Sequence, residues 1–307
     1  MKQCISILFT ILLVIGLGSN SASFASTSNN EGINEKLGVP IAVYGETLSD
    51  SQEEEVRELL EVQNRENVDE FRVNGQDIAN YIGGNANSRM FSSVKITPQE
   101  TGTGLTVNLV TPDNITQVTK EMYANALLTA GVEDAVVDVA SPVKVSGHSA
   151  LTGIYKAYDS KGAKLNEDRM KVASEELDVA TKLAEQSGMD QEKVSELLTE
   201  IKKEIANQNP ATREEVEQIV KEQLNSLNIQ LSDENIKLLT DLFDKIRNLN
   251  IDFGQVQKQL NDITANVKEL LNDEGFWNSI GNFFSTFISA IGKLISGLID
   301  SISSAFS

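Results

Sequence analysis

Cysteine and histidine are nearly missing from this chain: its 307 residues include one of each, Cys4 and His148. Cys4 lies ahead of the apolar run Ile5 to Leu17, on the wrong side of it for lipid attachment. If that run is a cleaved export signal, Cys4 leaves with it. The mature chain then holds no disulfide and no thiolate metal site, and outside the cytosol it depends on core burial for stability. A single histidine leaves zinc short of its usual nitrogen and sulfur ligands. Positive charge is scarce too, with 26 Lys and Arg against 45 Asp and Glu and a formal net charge of −19. That balance excludes polyanionic nucleic acid as a natural partner. The D-x-[DN]-x-[DN]-G calcium loop, the phosphate-binding loop and the dinucleotide fingerprint are all absent as sequence patterns, so no cofactor or metal is expected. Gly83-Gly84 and the Thr101-Gly102-Thr103-Gly104 stretch read as turns.

The first 25 residues, MKQCISILFTILLVIGLGSNSASFA, have one Lys, an apolar core and small residues at Ser23 and Ala25. This is the pattern of a secretory signal with cleavage after Ala25. The apolar run is shorter than the ~20 residues of a membrane-spanning helix, which argues against a retained anchor. Removing residues 1–25 takes away one Lys and no acid, leaving a mature formal charge of −20. A secreted or extracellular location, at or near the cell surface, is expected.

The mature chain divides by its periodicity. Residues 26–38 read as a flexible leader and residues 39–160 as a mixed-sheet α/β domain. Strand-like runs are IAVYGETL (41–48), VDEFRV (68–73), MFSSVKIT (90–97), LTVNLV (105–110) and DAVVDVA (134–140). SQEEEVRELLEV and ITQVTKEMYANALLTAG read as helices, the second closed at Gly131. The expected order is β-α-β-α-β-β-α-β-α in one mixed sheet, with the TGTG turn joining two strands as a hairpin.

Residues 165–274 read as an antiparallel helical region. Val194, Leu197, Leu198, Ile201 and Ile205 share one helical face, and Val216, Ile219, Val220, Leu224 and Leu227 repeat the pattern behind a capping box of Thr212 and Glu215. Ser232 is placed to cap the next helix, with Leu231 and Ile236 spaced as a hydrophobic staple. Val256, Leu260, Ile263, Val267 and Leu270 form a last stripe. The overall class is α+β: a mixed α/β domain, a helical region, and an amphipathic C-terminal helix over residues 276–307.

That C-terminal segment carries the most distinctive pattern. Phe276 and Trp277 lead into Ile280, Phe283, Phe284, Phe287, Ile288, Ile291, Leu294, Ile295, Leu298 and Ile299, a broad apolar stripe continued by Ile302 and Phe306. Ser, Thr and Gly fill the opposite face, with Lys293 and Asp300 the charges between Phe276 and Ser307. This composition suits an interfacial helix that binds lipid by apolar burial instead of charge, with Phe276 and Trp277 at headgroup level. Other uses of the same stripe are a last core helix, a seam between copies of the chain in a homo-oligomer, or, with interruptions by Ser, Gly and Lys293, a membrane span. A membrane surface or a protein partner is therefore expected at these residues.

The segment MYANALLTAGVEDAVVDVASPVKVSGHSALTGIYKAY (122–158), with NYIGGNANSRMFSSVKIT and NIDFGQVQKQL, resembles the YpuA-like family of secreted proteins from Gram-positive bacteria. The resemblance runs over nearly the whole mature chain. It implies an exported protein that ends in an amphipathic helix, and it transfers no catalytic residues, because the family has no assigned activity. In that comparison His148 stands where relatives carry a small residue such as Thr, which argues against an essential role for it.

Gly147-His148-Ser149 is the most enzyme-like spot, since G-x-S after a strand-like Val143 to Val145 and before a helix resembles a nucleophile elbow. Leu151 stands where the elbow needs a second Gly, and a serine nucleophile would need a histidine from elsewhere in the fold. Ser149 is expected near a helix N-cap and His148 in a turn. No catalytic residues are assigned. The functional expectation is an exported, non-enzymatic envelope or surface protein; the alternative is an exported hydrolase, glycosidase-like, using paired carboxylates among the many acids.

Overall fold

The structure is a computed structural model and describes residues 37–249 and 251–272. The expected export signal, the leader up to residue 36 and the whole stripe from Phe276 to Ile299 lie outside the described residues. The α+β class holds. Five strands, β1 (Ile41–Gly45), β2 (Asp69–Val73), β3 (Ser93–Pro98), β4 (Thr106–Leu109) and β5 (Ala135–Ala140), alternate with α1 (Asp50–Leu59), α2 (Gly75–Ile82), α3 (Lys120–Ala130) and α4 (Ser149–Ser160) in the expected order. Five long helices follow: α5 (Glu167–Ser187), α6 (Gln191–Gln208), α7 (Arg213–Ser226), α8 (Asp233–Asn248) and α9 (Phe253–Asn272).

The strand order is β2-β1-β3-β5-β4. The outer pairs, β1 with β2 and β4 with β5, are parallel, while β3 runs antiparallel to both β1 and β5. The expected hairpin across Thr101 to Gly104 does not form, because β5 inserts between β3 and β4. The turn is satisfied differently: Gly102 and Gly104, both with positive φ, donate their N–H groups to Asp134 Oδ1 at 3.0 and 2.8 Å. Burial explains the exchange. β5 (AVVDVA) is apolar enough to be enclosed on both faces, whereas β4 exposes Thr106 and Asn108 and suits an edge. The strand-like Val143 to Val145 reduces to a single bridge between Val145 and Ile115.

Alternation along β1 divides the core between the two sheet faces. Ala42 and Tyr44 pack with Val56, Leu60 and Val62 beside α1 on one face. Ile41 and Val43 belong to the larger core on the other, which continues through α3 and α4 into α5–α9 without a break. Leu37 is already buried in it. Local signals fix the helix ends. Thr119 caps α3 by accepting from Met122 N–H, so the helix begins five residues later than ITQVT suggests, and Gly131 closes it at φ 96°. The Thr212–Glu215 capping box opens α7, and Ser232 caps α8 by accepting from Asn235 N–H.

Val194, Leu197, Leu198, Ile201 and Ile205 of α6 are all buried, as are Val256, Leu260, Ile263 and Val267 of α9, which packs along α6. Each such side chain contributes about 1.5–3 kcal/mol over an exposed position. α3 is the most enclosed of the described helices: from Glu121 to Ala130 every residue is buried, against β4 on one side and α5, α6 and α9 on the others.

Candidate functional site at the edge of the sheet

A groove of about 260 Å³ runs between the free edge of β4, the first turns of α3 and one face of α9. β4 and the turn leading into it supply the contiguous stretch from Thr103 to Asn108, and α9 supplies Gln259, Asp262, Ile263 and Asn266, the i, i+3, i+4, i+7 positions of one face. Gln259 reaches across and accepts the Leu105 N–H through Oε1 at 2.8 Å. On the β5 side, Asn108 Nδ2 donates to Asp138 Oδ1 at 2.9 Å, and Lys95 pairs with Asp138 at 3.4 Å.

Glu121 comes to the groove from α3. It is 3% exposed, and its Oε1 has no hydrogen-bond partner among the described residues. The Lys120 ammonium stands 3.6 Å from that oxygen, outside hydrogen-bond range. A carboxylate in this position is costly unless a donor or cation completes its shell. Beyond Glu121, at the adjoining start of α6, burial pushes the Glu192 carboxyl up to about 8, helped by a hydrogen bond and negative charge from Asp190 and by the charge of Glu121. The two helix starts are tied by Thr119 and Ser195, whose hydroxyls are 3.3 Å apart.

A second polar cluster is sealed inside the helices. Lys202 Nζ, on α6, donates to Glu176 Oε1 at 2.6 Å, to Thr129 Oγ1 at 2.9 Å and to the Asn125 carbonyl at 2.9 Å. Thr129 in turn donates to Glu176 Oε2 at 2.6 Å. Both ions are 1% exposed. Burial lowers the Lys202 ammonium from its ordinary range, opposed by the Glu176 charge. The cluster ties α3, α5 and α6 together through buried charge.

His148 is likewise committed. Its Nδ1 lies 3.1 Å from Ser146 Oγ and its Nε2 3.1 Å from Thr181 Oγ1, with Asp178 Oδ1 at 3.4 Å from Nε2. Burial lowers its pKa, against the opposing pull of Asp178 and Glu185. Ser149 is the first residue of α4, and His148 occupies the cap position without a capping side-chain bond. No group of three or more His, Cys, Asp or Glu side chains placed to hold a metal occurs among the described residues.

Sequence reading did not single out Glu121, Gln259 or the β4 edge, and the bond that bridges the groove joins residues 154 positions apart. Lys202 did carry a signal: four residues after Leu198 and three before Ile205, it sits within an otherwise apolar stripe.

These features define an acidic α+β protein with a sheet-edge groove and a sealed ionic core. Residues 44–263 match the family described as "Protein of unknown function (DUF1002)", and the chain belongs to that family. It is 34% identical over 267 residues to the "Uncharacterized protein YpuA" of Bacillus subtilis (strain 168), covering 85% of this chain and 90% of that relative. The YpuA-like resemblance read from the sequence is thereby established. No solved structure matches.

Proposed function

We propose that the chain is an exported, non-enzymatic protein of the cell envelope, held at a membrane interface by its C-terminal amphipathic segment and offering its α+β body to a partner. The observation that carries this reading is the long, almost uncharged apolar stripe from Phe276 to Ile299, the composition of an interfacial helix. The apolar faces of α6, α7, α8 and α9 are met by one another and by α5 and α3. The stripe from Phe276 to Ile299 follows directly on this layer in sequence. The commitment of His148 to Ser146 and Thr181 supports the non-enzymatic part. No helix among the described residues is long and apolar enough to cross a membrane.

Flotation of the mature protein with neutral phosphatidylcholine vesicles tests the reading. Binding by apolar burial should persist as rising salt shortens the screening length from about 10 to 3 Å. It should be stronger on small, highly curved vesicles. Phe284→Asp with Ile291→Asp should release the protein with its circular dichroism unchanged. A wild type that never floats, together with a double variant that unfolds, identifies the segment as a core helix instead.

The hydrolase reading keeps one specific observation in its favour: the Glu192 carboxyl, pushed up to about 8 mainly by burial, stands close enough to Glu121 to feel its charge, and a carboxyl kept protonated near neutrality is what a general acid needs. Sugar release from cell-wall glycan by the wild type, abolished in a folded Glu192→Gln variant, would put this reading in place of the first.

A further inference from the structure

We infer that the β4 edge is a docking strand for an extended, cationic peptide segment of a partner protein, which adds to the sheet as a sixth strand in the groove beside α9. The inference rests on the reading that the body meets a partner and is independent of the tail.

The direction of the backbone groups carries it. Val110 N–H bonds the Val139 carbonyl, and Val139 is paired with Leu109 in the parallel register. By the two-residue period of a strand, Thr106 and Asn108 turn their main-chain groups toward β5, and Leu105, Val107 and Leu109 turn theirs away from it. The first of these outward donors, Leu105 N–H, is already taken by the Gln259 side-chain carbonyl at 2.8 Å, which stands where a neighbouring strand's carbonyl would stand. Val107 and Leu109 have no such cap among the described residues. Val107 opens into the groove, whose volume of about 260 Å³ falls below the ~300–1,000 Å³ of ordinary small-molecule pockets. A strip of main chain fits it better than a compact ligand does. Peptides that extend a sheet take their affinity from main-chain bonds and their specificity from alternate side chains.

Charge selects the side chain. Among the described residues, Glu121 presents a buried carboxylate oxygen without a hydrogen-bond partner, and Asp262 adds a second acid against Lys120, the one base of the described groove lining. The net charge of −19 draws basic segments from solution. An incoming Lys or Arg directed at α3 completes the shell that Lys120, at 3.6 Å, leaves open.

The test is titration of the isotope-labelled mature protein with an acetylated, amidated peptide of alternating Val and Lys, read by amide hydrogen exchange and by chemical shift. Protection should rise at the Val107 and Leu109 amides, whereas Thr106 and Asn108 are protected from the outset. The matching Val and Glu peptide should bind at least tenfold more weakly. Glu121→Gln should weaken the cationic peptide roughly ten- to hundredfold, the range of a charge-assisted bond. Val107→Pro deletes an outward N–H without touching the β5 ladder, a substitution that edge strands tolerate, and it should weaken binding about tenfold or more. Binding that leaves the Val107 and Leu109 amides unprotected would show mere adhesion to an acidic surface and overturn the inference. So would pairing of β4 with a second copy, seen as a peptide-independent dimer that protects the same amides. Vesicle flotation has no part in these readouts, so the tail reading and the docking strand fail separately.

Discussion

Replacing Lys202 by Met is the most informative single change in the fold. The side chain is 1% exposed, and its ammonium makes three hydrogen bonds, the shortest at 2.6 Å to Glu176 Oε1. Methionine fills much the same space without charge. What remains is a Glu176 carboxylate as buried as before, with the Thr129 hydroxyl at 2.6 Å as its remaining strong donor. Breaking a buried pair by removing one partner costs about 3–5 kcal/mol. An independent bound agrees with this figure: the stranded carboxylate can escape by taking up a proton, which for an ordinary glutamate at pH 7 costs about 4 kcal/mol.

Urea unfolding followed by circular dichroism gives the measurement. With a slope of about 3 kcal/mol per molar urea for a chain of this size, the midpoint should fall by roughly 1 M or more. Because protonation rescues the variant, its deficit should shrink by about 1.4 kcal/mol per pH unit as pH drops from 7 toward 5. Adding Glu176→Gln, which keeps an acceptor for Thr129, should return the protein to within about 1–2 kcal/mol of wild type, recovering roughly 2–3 kcal/mol of the Lys202→Met loss. A Lys202→Met midpoint within about 1 kcal/mol of wild type at pH 7, or strictly additive single and double variants, would refute this account of the ionic core.

The other perturbations probe the sheet and the start of α6. Gly45→Ala would place its Cβ 2.3 Å from the Met90 carbonyl oxygen, a main-chain atom that also accepts the Thr47 N–H. β1 or the chain at Met90 must shift, at a cost of about 2–3 kcal/mol, and the thermal midpoint should fall by roughly 5–10 °C; an unchanged midpoint contradicts the close approach. Glu192 has a folded pKa raised to about 8, above its unfolded value, so its contribution to stability is complete at low pH and is lost as pH rises through 8. Glu192→Gln should flatten that decline, and parallel stability profiles for variant and wild type between pH 5 and 9 would show that the carboxyl is already ionised.

The strands were legible in the sequence because each alternates or is uniformly apolar over four to six residues, and the helices because their stripes and caps agree. Their arrangement was less so. Thr101 to Gly104 carries a strong turn signal, and a local signal cannot report that Asp134, some thirty residues on, supplies the acceptor that turns the loop aside from a hairpin. The contrast between AVVDVA and the polar positions of TVNL held the information needed to put β5 inside and β4 at the edge. The groove was not legible, because Leu105 and Gln259 meet only after six helices have packed between them in sequence. Glu121 reads as an ordinary first-turn acid at the start of an amphipathic helix, and its burial is a consequence of α6 and α9 closing over α3.

The enclosure of α3 also fixes a timetable. During synthesis the five strands and α1 to α4 are complete once residue 160 has emerged, yet α3 then has the sheet on one side and water on the others. α5 and α6 must arrive before the Asn125 and Thr129 groups meet Lys202 and Glu176, and α9 before the groove beside Leu128 is formed. A ribosome-bound chain of about half the final length therefore shows an apolar helix with a polar seam and no partner for either. Until the last described helix has left the exit tunnel, that surface stays open to aggregation and to any factor that binds exposed apolar helices.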